Sequence, residues 1–428
     1  MQLNSYSISQ QQNLECSLLT GRRIIFVLPG LKMGGAERQA LLLARYLVRQ
    51  EQADVQIWGF DGPGEVSEIC DEYQIPWRVI RMGWPRDTLV CIKAIMKFGI
   101  ELRKAAPDIV LPFTIRPNVY CGLTWRWSGA KTCIWNQGDE GLSMGVQLRT
   151  QYIAARLTPW FASNSDRGMQ FLSMSLSVPQ ARIRQARNGI ELPAPQMNRV
   201  EWRKRLGIKA RSCVACMVAN LHDNKDHTTL IQAWRIFLEQ LKTNNYSAHL
   251  LLAGRHDNMY KPLVKMVSDF ALEHSVHFLG SVKDIAGLLQ ASDLVVFSSR
   301  SEGIPNGVLE GMAAGLAVVG TDIPGIREAV GPSNYAFLAP PANASVLADR
   351  INEMATNTPL REKVGAMNRL RIEQEFSPQQ MVNAMTSLIA RGLESTKRTF
   401  FHHRKDLKQP DERMACVDGS FGLSQSRS

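Results

Sequence analysis

No stretch of the 428-residue chain approaches the roughly 20 consecutive apolar residues that a membrane-spanning helix needs. Runs such as Leu41–Ala44 and Leu316–Val319 are far shorter. The first 19 residues are polar, with Gln2, Asn4, Ser5 and Gln10–Asn13, and lack a charged segment followed by an apolar one. A secretory signal is therefore not indicated, and a cytosolic location is expected. Cysteine is sparse: Cys16, Cys70, Cys91, Cys121, Cys133, Cys213, Cys216 and Cys416. In a long chain without an export signal these read as free thiols. Cys213 and Cys216 form a lone C-x-x-C inside Ser212–Ala219, which reads as a buried strand. Residues three apart on a strand point to opposite faces, which suits neither a redox pair nor a zinc site. His222, His227 and His402–His403 have no carboxylate or cysteine partners at ligand spacing.

Charge and apolar content are present in ordinary amounts, 21% and 45%, which places the chain among globular proteins. Its length exceeds what one core usually serves, so two domains are expected. The formal net charge is +11. Residues 20–196 hold 22 Lys+Arg against 15 Asp+Glu, net +7, while residues 197–394 hold 21 against 19, net +2. The stretch 395–428 adds 7 against 4, net +3. A positive excess of this kind suits nucleic acid, an anionic membrane surface or a phosphorylated substrate. No aromatic–basic interleaving or recognisable nucleic-acid module accompanies it, so nucleic acid is not expected as a partner.

The apolar pattern alternates between strands and helices. Arg23–Pro29 reads as a buried strand and Ala36–Arg49 as a helix, with further strands at 55–60, 77–81, 108–113, 131–135 and 160–163. Helices are expected at about 88–106, 116–127, 147–157 and 166–176. After the Pro-rich break Glu191–Pro195 the pattern restarts, with strands at 212–219, 248–253, 276–279, 293–298 and 316–320 between helices. Continuous apolar strands alternating with helices predict α/β architecture: two doubly wound Rossmann-like domains facing across a cleft. The expected division is a polar extension (1–20), a first domain (21–195), a second domain (196–376), a helix returning to the first domain (377–394) and a disordered basic tail (395–428). In doubly wound sheets ligands bind at the carboxyl ends of the strands, so the cleft is the expected site.

Three stretches carry chemistry. Gly34 and Gly35 follow the first strand and open a helix, where backbone amides and the helix dipole favour phosphate. Lys225, in Asn220–His227, lies between a strand and a helix, placed to neutralise a diphosphate. In Ser299–Gly315, Glu302 lies in a loop and Glu310 in the second turn of a helix beginning near Asn306. The loop Gly303, Ile304, Pro305 and Asn306 leads into that helix start, and its amides would supply donors for an anion. Two carboxylates beside an anion pocket suit a ligand bearing both phosphates and hydroxyls.

This last stretch resembles the E-x7-E motif of retaining GT-B glycosyltransferases, specifically the large family 4. Ser299-x-x-Glu302-Gly-Ile-Pro305 and Glu310-Gly-Met-Ala-Ala-Gly315 match its two halves. Thr321–Glu328, Val276–Val282, Gly34–Arg38 and Arg187–Ile190 resemble its neighbouring blocks in family order. The resemblance covers about 22–392 and implies the GT-B fold and a nucleotide-sugar donor, UDP- or GDP-linked, used without a cofactor. It implies that Glu302 holds hydroxyls of the transferred sugar with the amides at Gly303–Asn306, that Glu310 binds the ribose, and that Lys225 stabilises the leaving diphosphate. Gly34 and Gly35 would approach that diphosphate. Asn220 stands where the family has an arginine, and the loop Asn136–Glu140 lacks the family's histidine, leaving Asp139 or Glu140 as the acid offered to the sugar. The chain contains no Asp-x-Asp, so no metal is expected. The acceptor implied is a hydroxyl of a glycan or lipid-linked glycan in surface polysaccharide or glycolipid synthesis, with the first domain resting on an anionic membrane surface. A nucleotide-sugar epimerase or hydrolase of the same fold, or an inactive binder, would use the same groove.

Overall fold

The computed structural model describes residues 18–85, 87–141, 145–241 and 247–406, with side chains to Ser395. The first domain comprises β1 (Arg23–Leu28), α1 (Gly35–Arg49), β2 (Asp54–Gly59), α2 (Glu65–Glu72), β3 (Trp77–Val79), α3 (Thr88–Ala105) and β4 (Ile109–Pro112). It continues through α4 (Ile115–Thr124), β5 (Thr132–Gln137), α5 (Leu148–Leu157), β6 (Trp160–Ser163), α6 (Asp166–Gln170) and β7 (Ile183–Gln185). The second comprises α7 (Arg199–Arg205), β8 (Cys213–Val218), α8 (His227–Leu241), β9 (Ala248–Ala253), α9 (Tyr260–Asp269), β10 (Val276–Gly280) and α10 (Ile285–Ala291). Then follow β11 (Leu294–Phe297), α11 (Asn306–Ala313), β12 (Ala317–Thr321), α12 (Pro324–Val330), β13 (Leu338–Ala339), α13 (Ala344–Thr356), α14 (Thr358–Glu375) and α15 (Pro378–Asp406).

Every strand pairing is parallel. The sheets run β3-β2-β1-β4-β5-β6-β7 and β10-β9-β8-β11-β12-β13, so the chain reverses direction across the sheet between β1 and β4 and between β8 and β11. At the second reversal β11 stays in register with β8 for only two pairs, Leu294↔Ala215 and Val295↔Cys216. The strand ends then part and leave a crevice of the kind doubly wound sheets use for ligands.

Both faces of each sheet are covered. In the first domain α1 and α15 pack on Ile24, Phe26 and Leu28, while α3 and α4 close the opposite face over Ile25, Val27 and Val110. In the second domain Cys213 belongs to the main core and Cys216 to the core on the other face, as the strand alternation requires. Burial pushes both thiols up to about 12, so neither supplies a thiolate. The chain crosses between the domains twice, and the crossings touch: the Ile190 amide donates to the Phe376 carbonyl at 2.9 Å. A Cβ on Gly189 would come within 2.9 Å of the Pro378 backbone, so the hinge tolerates no side chain there. Among the described residues no helix is long and apolar enough to cross a membrane.

Several elements differ from expectation. α2, β7 and β13 were not anticipated; β7 and β13 are only three and two residues long, too short to show periodicity. The helix expected at 166–176 widens after Gln170 into a π-turn, Phe171–Ser175. The closing helix does not stop at Glu394 but runs to Asp406, which replaces the first part of the expected disordered tail. Residues 1–17 and 407–428 lie outside the described residues.

Candidate active-site cleft

The carboxyl ends of the two sheets face one another across a cleft of about 940 Å³, lined from the first domain by Gly34, Gly35, Arg38 and Asn136 and from the second by Asn220, Lys225 and Arg255. Glu302, Gly303, Ile304, Pro305, Asn306 and Glu310 complete its second-domain wall. Ten of the eleven residues read from the sequence are thus brought together, although they come from segments far apart in the chain.

Two loops are zipped to form that wall. Asn224 donates through Nδ2 to the Ser301 carbonyl at 2.6 Å, and the Arg300 amide donates to the Asn224 carbonyl at 2.9 Å. The Ser299 amide donates to Thr321 Oγ1 at 3.0 Å, and Thr321 returns its hydroxyl to the Ser299 carbonyl at 2.8 Å. This stitching sets Lys225 against Glu302 as an ion pair. Ser299 Oγ also donates to Glu302 Oε1 at 2.7 Å. Lys225 Nζ stands 5.4 Å from the centre of the Phe297 ring, so its ammonium is held at the end of β11 by a carboxylate and an aromatic face.

Glu310, on α11, is nearly buried and pairs with Arg38 of α1 across the cleft. Arg38 was not anticipated as a site residue; its partner lies 272 positions away, beyond the reach of any local pattern. The first turn of α11 is gripped from the first domain. Asn306 donates to the Gly35 carbonyl at 3.1 Å and accepts from Asn188 Nδ2 at 2.7 Å. A Cβ on Gly303 would stand 2.4 Å from the Gly138 carbonyl oxygen, so a glycine is what lets the two domain loops meet. Ile304 turns its side chain into the core and leaves only backbone for a ligand.

Three placements refine the sequence reading. Asp139 does not line the cleft: its carboxylate accepts from Gln137 Nε2 at 2.8 Å and from the Gly141 amide at 2.7 Å, closing its own loop. Glu140, the other acid of this loop, does not line the cleft either; it accepts from Ser301 Oγ at 3.4 Å, with its pKa raised mainly by burial. Asn220 offers no charge and is engaged, its Oδ1 accepting the Arg255 amide at 3.0 Å. Arg255 is therefore the guanidinium adjoining position 220, paired with Asp257 at 2.7 Å and within electrostatic reach of Glu37 and Glu65 beside the Gly34 loop. His227 is buried and His222 pairs with Asp223 at 2.6 Å. Among the described residues no three His, Cys, Asp or Glu side chains are grouped to hold a metal.

The helix dipoles of α1 and α11 converge on this space, with Lys225, Arg38 and Arg255 around it. The arrangement offers amides and cations to a diphosphate, and two carboxylates to hydroxyls on either side of it.

Residues 198–371 match the family model described as glycosyl transferases group 1. Putative glycosyltransferase EpsD of Bacillus subtilis is 28% identical over 198 residues, 46% of this chain and 50% of that protein. The N,N'-diacetylbacillosaminyl-diphospho-undecaprenol alpha-1,3-N-acetylgalactosaminyltransferase of Campylobacter jejuni is 30% identical over 33% of this chain and 37% of its own length. The aligned part thus spans half or less of these curated relatives. HepE of Anabaena, solved in complex with UDP and glucose, superposes with a TM-score of 0.74 at 19% identity, covering 86% of this chain and all of that one. That likeness establishes the two-domain fold.

Proposed function

We propose that the protein is a retaining glycosyltransferase, a reading supported by the match of residues 198–371 to the glycosyl transferases group 1 model and by the GT-B fold of its two sheets. It moves a sugar from a nucleotide-sugar donor to a hydroxyl of a glycan or lipid-linked acceptor. The observation that carries this reading is the pairing of the two glutamates. Glu302 is held by Lys225 and Glu310 by Arg38, eight residues apart on one cleft wall.

In this reading Glu310 binds the ribose and releases Arg38 when the donor enters. Glu302 orients the sugar hydroxyls while the amides of Gly303, Ile304 and Asn306 face the sugar and its phosphate. As the glycosidic C–O bond breaks, positive charge grows on the sugar ring and negative charge on the leaving diphosphate. Lys225 and the α1 and α11 N-termini stabilise that anion before water can reorganise around it. The acceptor hydroxyl attacks from the same face, and its proton passes to the departing phosphate oxygen. Asp139 is tied into its own loop, and Glu140 touches the sugar-binding loop only through Ser301 Oγ. The cations on the chain do the work a divalent metal would do, so chelation by EDTA leaves turnover unchanged. A loss restored by Mg2+ would replace that part of the reading.

The donor is a UDP- or GDP-sugar, and the acceptor belongs to surface polysaccharide or glycolipid assembly, met by the first domain at the cytoplasmic membrane face. The name of the Campylobacter relative, with its undecaprenol-linked acceptor, supports that choice. Isothermal titration with UDP, GDP and ADP identifies the donor class. Glu302→Gln is expected to keep nucleotide binding and native circular dichroism while losing transfer about a hundredfold or more. Near-normal turnover in that variant would overturn the assignment, and sugar release at the full rate without any acceptor would mark a hydrolase instead.

A further inference from the structure

Helix α3 turns apolar side chains outward. Leu89 is 70% exposed, Ile92 48%, Met96 53% and Ile100 55%. Their spacing of three and four residues sets them in one stripe along the helix. Phe98, Gly99 and Leu102 form the buried face, so the stripe is not the core-facing side. Scattered exposed apolar residues are ordinary, but a continuous stripe on one helix is not. Trp127 extends it: a Cβ on Gly99 would meet the indole at 2.8 Å, and the ring is 53% exposed.

Charge gives this face its direction. Lys93, Lys97, Arg103 and Lys104 are all exposed on α3. The helix carries a single acid, Glu101, and it is taken up by Arg78 at 2.6 Å and Lys104 at 3.0 Å. An outward apolar stripe, flanking lysines and an adjoining tryptophan suit the boundary of an anionic bilayer: apolar groups enter the acyl edge, the tryptophan sits at headgroup level and lysines meet phosphates. In a parallel α/β sheet each helix runs back against the strands, so α3 begins at the carboxyl edge that lines the cleft. Leu89 and its neighbours therefore lie at the level where an acceptor would enter.

We propose that the outward face of α3, with Trp127 beside it, is the surface on which this protein lies against an anionic lipid bilayer. The inference deepens the proposed use of a lipid-linked acceptor and rests on that reading for its purpose.

Full-length protein is sedimented with vesicles of phosphatidylcholine alone or with 30% phosphatidylglycerol, at low and high salt. Wild type is expected to bind the anionic vesicles, weakly the neutral ones, and to lose binding as salt rises. Leu89→Ser/Met96→Ser/Ile100→Ser and, separately, Lys93→Gln/Lys97→Gln are expected to weaken anionic-vesicle binding about tenfold or more. These side chains are half or more exposed or charged, and UDP or GDP titration with each variant checks that the cleft is intact. Wild type indifferent to vesicles, or both variants binding as wild type does, would overturn the proposal. So would vesicle binding retained while the apolar variant loses self-association or a protein partner. Nucleotide titration fails or succeeds independently of these arms, so loss of the glycosyltransfer reading is told apart from loss of the docking surface.

Discussion

Glu37 is a carboxyl beside the Gly34 loop, where the proposed function brings the donor's diphosphate. It is buried in the first turn of α1, with Oε2 2.5 Å from where a Cβ on Gly34 would stand. Burial is the main cause of a pKa raised to about 7, partly offset by its own backbone and by Arg255. Its folded value lies above its unfolded one, so its contribution to stability is complete below about pH 4.5 and is lost as pH rises through 7. The loss amounts to about 3 kcal/mol. Ionised Glu37 also repels a diphosphate arriving at the Gly34 loop. Glu37→Gln is expected to raise Tm relative to wild type at pH 8 and hardly at pH 4.5. It should also flatten the rise in donor KM that is expected of wild type above pH 7. Parallel pH profiles in both proteins would remove Glu37 from this role.

At the level of elements, α15 is the piece that joins the two halves. Met381, Val382, Met385, Leu388, Ile389 and Leu393 lie in the core of the first domain with Ile24 and Phe26, although they follow the second domain in the chain. Leu388→Ala is expected to cost about 2–5 kcal/mol, read as a lowered melting transition of the first domain while nucleotide titration of the second changes little. A variant melting as wild type does would mean α15 only rests on the domain. The long elements were legible because their patterns are local. β1, β8 and β11 are continuous apolar runs, and Glu302, Glu310 and Lys225 sit in compact motifs between a strand and a helix. What escaped notice depends on tertiary structure. Arg38 and Arg255 gain meaning only from partners across the cleft, Asp139 is turned from the cleft by its own loop's hydrogen bonds, and β13 is a strand only because β12 lies beside it. The start of α15 was legible from its period, but its end was not, since no proline or glycine stands at Glu394.

Across the whole molecule the buried titratable groups of the two domains are shifted so that acid is expected to act on them in opposite directions. In the second, burial lowers His227 to about 4, with Lys225 adding to the effect, and lowers His249 to about 4 with help from His277. Their folded values lie below the unfolded 6.5, so the stability they accompany is present above that pH and is lost as pH falls toward 4. Glu37 in the first domain runs the other way. Calorimetric scans between pH 7.5 and 5 are expected to show the second-domain transition falling while the first holds or rises, and His227→Gln should reduce the fall. A single transition that shifts as one would show the hinge couples the domains too tightly for this separation. The placement of α15 reaches beyond equilibrium to the order of synthesis. When the first domain leaves the ribosome, the side chains that complete its core are still about two hundred codons away. A nascent chain therefore holds α1 and β1 with an open apolar flank until the whole second domain has been made. The first domain should be the chaperone-bound part of the growing chain, and a chain ending at residue 376, released from the ribosome, should present it protease-sensitive beside a folded second domain whose core is then complete.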